Sequence, residues 1–243
     1  KTENSVETSS NANNRTTFTV GFDAEYPPYG YMDENGEYTG FDLELAEAVC
    51  KLEGWELVKK PINWDAKDME LNSGAIDCIW NGFTMNGRED EYTFSTPYVD
   101  NSQVIVVAEN SGINTPEDLA GKTVGVQAAS AALELLQSDE KDGQKALADT
   151  FGALNEFADY NTAFTELQAG ALDALAIDIG VANYQIKSRG EGYKILEETL
   201  NTEQYAIAFK KGDQELRDVV NADLKKLTED GTVAKLAEKY EIS

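Results

Sequence analysis

Short β-rich runs alternate with stretches of helical period in this chain, twice over, and that alternation constrains the fold more than any other feature. Phe18-Thr19-Val20-Gly21-Phe22 reads as a strand, followed by turns at Tyr26-Pro27-Pro28-Tyr29 and Glu34-Asn35-Gly36. Phe41, Leu45, Ala48, Val49 and Leu52 then recur at helical spacing, with Asp42 near the start and Gly54 just past the end. Residues 57–62 read as a strand, 65–71 as a short helix stopped by Asn72-Ser73-Gly74, and 76–80 as a buried strand. Strand, helix, strand, helix, strand predicts a parallel sheet with right-handed crossovers.

A second series begins after Tyr98. Residues 103–108 are extended, Thr115-Pro116-Glu117-Asp118-Leu119 opens a short helix, and 122–127 is a strand leading into a helix over 131–137. Residues 163–167 and 179–187 read as helices flanking a strand at 174–177, and 204–209 returns as a strand. Helices over 214–227 and 232–239 close the chain. The expected fold is α/β with two lobes joined by a two-strand hinge. One lobe comprises 17–101 with 210–243, the other 102–209, with hinge strands near 100–103 and 203–209. Residues 1–16, rich in Asn, Ser, Thr and Glu, are expected to be a disordered tether.

The 243 residues carry 20 Lys plus Arg against 45 Asp plus Glu, a formal net charge of −25 that repels nucleic acid. Histidine is absent, which removes the usual neutral-pH base and the commonest metal ligand. No metal site and no cofactor is expected. Cys50 and Cys78 lie in apolar contexts without metal-ligand spacing and read as buried thiols, with a disulfide as the alternative.

In an α/β domain, ligands sit outside the carboxyl ends of the strands. Asp23 and Tyr26 follow the first strand, Trp64 the second, and Asn81-Gly82-Phe83-Thr84 the third, with Arg88 four residues beyond the threonine. In the second series, Ala129 and Ser130 precede a helix and Asp178 ends a strand. Each has an ordinary reading: a turn or helix cap for Asp23, Ser130 and Asp178, core packing for Tyr26 and Trp64, a surface ion pair for Arg88. Jointly they supply a cation, a helix N-terminus, two carboxylates and two aromatics facing one cleft, a set that matches a zwitterion with a side chain.

Those residues carry a resemblance. Phe22-Asp23-Ala24-Glu25-Tyr26-Pro27-Pro28-Tyr29, Gly40-Phe41-Asp42-Leu43, Gly82-Phe83-Thr84 with Arg88, Phe94-Ser95-Thr96-Pro97-Tyr98 and residues 118–126 stand in the order seen in one family. Gly170-Ala171-Leu172-Asp173-Ala174 with Asp178, and residues 227–236, complete the pattern. The chain resembles the bacterial extracellular solute-binding proteins of family 3, which serve polar amino-acid ABC transporters. The resemblance implies a periplasmic-binding-protein-like fold of type II. It also implies a monomer, partnered by a free amino acid and a cognate ABC permease. The protein would be extracellular, either a membrane-tethered lipoprotein or periplasmic, and made with a signal.

By the same resemblance, Arg88 grips the ligand α-carboxylate, helped by Thr84 and the Ser130 N–H. Asp178, the Gly82 carbonyl and the Thr84 hydroxyl take the α-ammonium. Tyr26 and Trp64 sandwich the side chain, and Asp23 meets its polar end. The ligand expected is an L-amino acid with a polar or cationic side chain, such as arginine, lysine, glutamine or cystine. Two departures stand out: the segment from Thr84 to Arg88 is one residue shorter than usual, and Ala129-Ser130 replaces a Gly-Thr pair. The alternatives are an enzyme on the same scaffold, resembling prephenate or arogenate dehydratase, and a receptor's ligand-sensing ectodomain.

Overall fold

The computed structural model describes residues 14–242. Most of the expected N-terminal tether therefore lies outside the described residues. The alternation seen in the sequence produces two five-stranded sheets. In the first, Glu56–Pro61, Thr17–Phe22 and Cys78–Ile79 run parallel, and Ala208–Phe209 and Thr93–Phe94 extend the sheet antiparallel. In the second, Ala153–Phe157, Thr123–Gln127 and Ala174–Asp178 run parallel, and Gln103–Ala108 and Tyr193–Ile195 add antiparallel strands. Both sheets are therefore mixed, where the sequence pattern predicts only the parallel part.

The chain crosses between sheets twice, and the crossings pair with each other. Val99–Asn101 runs antiparallel to Glu203–Tyr205, with Glu203 opposite Asn101 and Tyr205 opposite Val99. The return strand expected over 204–209 is two pieces. Its first part belongs to this crossover ladder, and from Ala208 it already belongs to the first sheet.

Helix Phe41–Glu53 shows how sequence becomes packing. Its apolar stripe buries Phe41, Leu45, Ala46 and Val49, and Gly54 ends it at φ 74°, a left-handed conformation that glycine adopts without a Cβ clash. The closing helices, Gln214–Glu229 and Thr232–Lys239, pack on this helix. Cys50 and Cys78 are free, buried thiols in that core. No described helix is long and apolar enough to cross a membrane.

Several short elements escaped the sequence reading because their residues carry little periodic signal. Ala153–Phe157 and Tyr193–Ile195 are edge strands, partly exposed and without a continuous apolar run. A small meander of Glu25–Tyr26, Gly30–Met32 and Tyr38–Thr39 has strands too short for any periodicity to show.

Candidate functional site

The turn after Cys78–Ile79 is held from behind by Asp42. This carboxylate is fully buried in the first turn of helix Phe41–Glu53 and accepts from the Gly82 N–H and, at 2.7 Å, from the Tyr98 hydroxyl. Burial raises its pKa to about 7 despite both donors. Gly82 itself sits at φ 55°, and a Cβ there would lie 3.1 Å from the rings of Tyr26 and Tyr205. Only glycine suits both the backbone and the crowding.

Arg88 folds back over this turn and is only 4 % exposed. Its Nη1 donates to the Thr84 carbonyl at 2.9 Å, and its guanidinium lies 4.7 Å from the centre of the Phe83 ring. Nη2 stands 2.7 Å from Glu134 Oε1 on the opposite lobe, yet outside hydrogen-bonding geometry, so that nitrogen remains without a hydrogen-bond partner. The guanidinium is thus ion-paired to an exposed carboxylate, which an anion bound in the cavity would have to displace. The Asn81 side-chain oxygen nearby is likewise buried and unpartnered.

These groups border a small cavity of about 20 Å³ between the lobes. Tyr26, Trp64, Asn81, Gly82, Phe83, Thr84 and Arg88 line it from the first lobe, and Gln127, Ser130 and Ala131 from the second. Trp64 opens a short 3-10 turn and donates its indole N–H to the Ala129 carbonyl at 3.1 Å, joining the lobes at the cavity rim. Phe83 meets its ring edge-on at 5.5 Å, and Lys67 Nζ lies 5.1 Å from the ring centre.

Of the residues expected at the site, Tyr26, Trp64, Asn81, Gly82, Thr84, Arg88 and Ser130 line this cavity, and Ala129 borders it through its carbonyl. Asp23 and Asp178 stand behind the lining. Asp23 accepts from the Glu25 N–H at 2.9 Å and from Gln127 Nε2 at 2.6 Å, a second contact between lobes, and burial raises its pKa to about 6. Ser130 caps helix Ala131–Gln137: its hydroxyl accepts from the Leu133 N–H at 3.1 Å and donates to the Gln127 carbonyl at 2.7 Å. Ala129 adopts φ 56°, a left-handed conformation that costs a residue with a Cβ.

Asp178 is wholly buried and caps helix Ile179–Arg189, accepting from the N–H groups of Gly180 at 2.8 Å and Val181 at 3.1 Å. Its other oxygen takes the Asn101 side-chain amide. Burial and then the neighbouring Glu203 raise its pKa well above the usual carboxylate range. Glu203 is buried too, and among the described residues neither carboxylate is ion-paired.

Sequence reasoning missed Phe83, Gln127 and Ala131 on the wall, Glu134 opposite Arg88, and the crossover polar set of Asn101, Gln103 and Glu203. Gln127 is the last residue of its strand, so the carboxyl-end rule reaches it. The crossover set gave no such signal, because polar residues in a short strand ordinarily face solvent.

Against known proteins, the model of the bacterial extracellular solute-binding proteins, family 3, matches residues 18–242. The chain belongs to that family. L-cystine-binding protein TcyJ of Escherichia coli (strain K12) is 31% identical over 229 residues, covering 93% of this chain and 83% of TcyJ. Among solved structures, an ancestral arginine-binding protein bound to arginine is 38% identical at a TM-score of 0.84, covering 93% of this chain and 98% of that one. An ABC uptake transporter substrate-binding protein from Streptococcus pneumoniae with bound histidine is 33% identical at a TM-score of 0.86, covering 92% of each chain. This solute-binding protein thus shares its whole two-lobed architecture with proteins solved with amino acids.

Proposed function

We propose that this solute-binding protein captures a free L-amino acid between its lobes and delivers it to an ABC permease, performing no chemistry on it. The observation that carries the reading is the charge arrangement around the cavity. Buried Arg88, paired only to the exposed Glu134, stands at one side, and the buried carboxylates of Asp178 and Glu203, without an ion pair, stand behind Thr84 and Tyr26 at another. A molecule carrying a carboxylate beside an ammonium satisfies both.

In this reading Arg88 holds the α-carboxylate, Thr84, the Gly82 carbonyl and Asp178 serve the α-ammonium, and Tyr26 and Trp64 flank the side chain. Asp23, reached through Gln127, sets a polar far end. Cystine, arginine and histidine are named for the relatives, in keeping with a polar or cationic side chain here.

The proposed lobes are 17–101 with 210–243, and 102–209, turning about the paired crossover strands. A ligand shifts the open–closed equilibrium only through contacts it makes preferentially in one state. Groups from both lobes line the cavity, so closure supplies that difference. Extracellular placement goes with the family. A lipidated tether and a monomeric state complete the proposal, and the net charge of −25 makes nucleic acid an unsuitable partner.

The test is a thermal-shift screen of the proteinogenic amino acids with cystine and ornithine, followed by recovery of the bound compound. A ligand that binds only the native state raises the melting temperature. A shift with one or a few polar or cationic amino acids, recovered unchanged, supports the reading; no shift with any, or conversion of the compound, contradicts it.

A further inference from the structure

Thr84 lines the cavity and is 5 % exposed, and its hydroxyl donates to Glu203 Oε1 at 2.9 Å. A hydroxyl has one proton and two lone pairs. With the proton committed to Glu203, Thr84 offers the cavity only lone pairs, so it accepts hydrogen bonds from a ligand and cannot donate.

Glu203 is held in a way that keeps this polarity one-directional. Asn101 Nδ2 donates to Oε1 at 3.0 Å, Gln103 Nε2 donates to the same oxygen, and Asn201 Nδ2 donates to Oε2 at 3.0 Å. Each of these is an amide N–H, which can only donate, so Glu203 accepts on both oxygens. No cation among the described residues neutralises it. Its negative charge therefore reaches the cavity through the Thr84 hydroxyl. The ladder pairing Glu203 with Asn101 and the bridge joining Thr84 to Tyr205 fix both partners to the crossover strands.

We propose that Glu203 is a positioning residue that holds the Thr84 hydroxyl as an acceptor, so that the cavity selects compounds bearing a protonated amine beside the carboxylate. The inference rests on the amino-acid reading above and deepens it: selection for the α-amino group depends on a glutamate that does not line the cavity. The competing account makes Glu203 a structural tie between crossover strands, important for stability and indifferent to the ligand's amine.

The experiment compares matched probes that differ only by the α-amino group: L-arginine with 5-guanidinopentanoic acid, and L-glutamine with 4-carbamoylbutanoic acid. Their affinities are measured by calorimetry for the parent, Glu203→Gln, Thr84→Val, Thr84→Ser and the Glu203→Gln/Thr84→Val double variant. Glu203→Gln should weaken the amino acid roughly tenfold, by loss of a charge-assisted contact, and leave the des-amino probe unchanged or tighter. Thr84→Ser, which keeps the hydroxyl, should discriminate between the paired probes better than Thr84→Val, and Glu203→Gln should add little once Thr84 is valine. Equal losses for both members of a pair, or a Glu203→Gln effect that persists in full beside Thr84→Val, would overturn the proposal in favour of a structural tie. A parent protein that binds neither amino acid would instead overturn the amino-acid reading for these ligands, and this inference with it.

Discussion

Arg88 and Glu134 face each other across the cleft, with Nη2 of the buried guanidinium 2.7 Å from a carboxylate that is itself 53 % exposed. The protein thus supplies its own anion at the place where the ligand's α-carboxylate is proposed to bind. Glu134 opposes that ligand by occupying the arginine and by repelling a second negative charge. Its exposure limits the effect to that of a solvent-screened pair, about 0.5–1 kcal/mol. Glu134→Gln should therefore tighten amino-acid binding about two- to fivefold by calorimetry. A weaker complex would show that the pair acts as a latch favouring closure.

Ala129 holds φ 56° and its carbonyl receives the Trp64 indole N–H. Glycine removes the Cβ that opposes this conformation. Ala129→Gly should raise stability by about 0.5–1 kcal/mol in denaturant titration, the left-handed penalty less the added freedom of the unfolded chain. A loss of stability would mean that the alanine methyl makes compensating contacts.

Asp178 both caps a helix and stands in the proposed amino-group site. Asn caps about as well as Asp, and the substitution removes a charge that burial already disfavours. Asp178→Asn should leave the ligand-free melting temperature at pH 8 unchanged or higher, and weaken amino-acid binding by about 1.5–3 kcal/mol. Parental affinity would leave Asp178 with capping alone.

Ligand-free stability should fall as pH rises towards neutrality. Asp23 titrates near 6 and Asp42 near 7 in the folded protein, both above the ordinary 3.8. Between 3.8 and those values the native state holds more protons than the unfolded chain, so these groups stabilise at low pH and lose that contribution through the window. Melting temperatures measured from pH 5 to pH 8 should decline, and Asp42→Asn should flatten the curve. A melting temperature that climbs over this range would contradict the assignment.

Much of this molecule was legible in the sequence where one residue type has one physical use. Gly54 marked a helix end, the run before Asn81 marked a buried strand, and the carboxyl-end rule brought Tyr26, Trp64, Thr84 and Arg88 to one cavity. What stayed hidden depends on partners distant in sequence. Glu134 looks like any solvent-facing helix residue until Arg88 is placed opposite it. Glu203 acquires its meaning only from Thr84, 119 residues away. The edge strands Ala153–Phe157 and Tyr193–Ile195 escaped as well, because the apolar runs that mark the inner strands do not constrain what pairs beside them.

The central claim is that Arg88 binds the α-carboxylate of an amino acid, and calorimetry on Arg88→Ala tests it most directly. Removing one partner of a buried charge pair costs about 2–5 kcal/mol. The account therefore predicts loss of binding by well over an order of magnitude, with the fold retained by circular dichroism. An Arg88→Ala protein that is folded and binds its amino acid within twofold of the parent would contradict it.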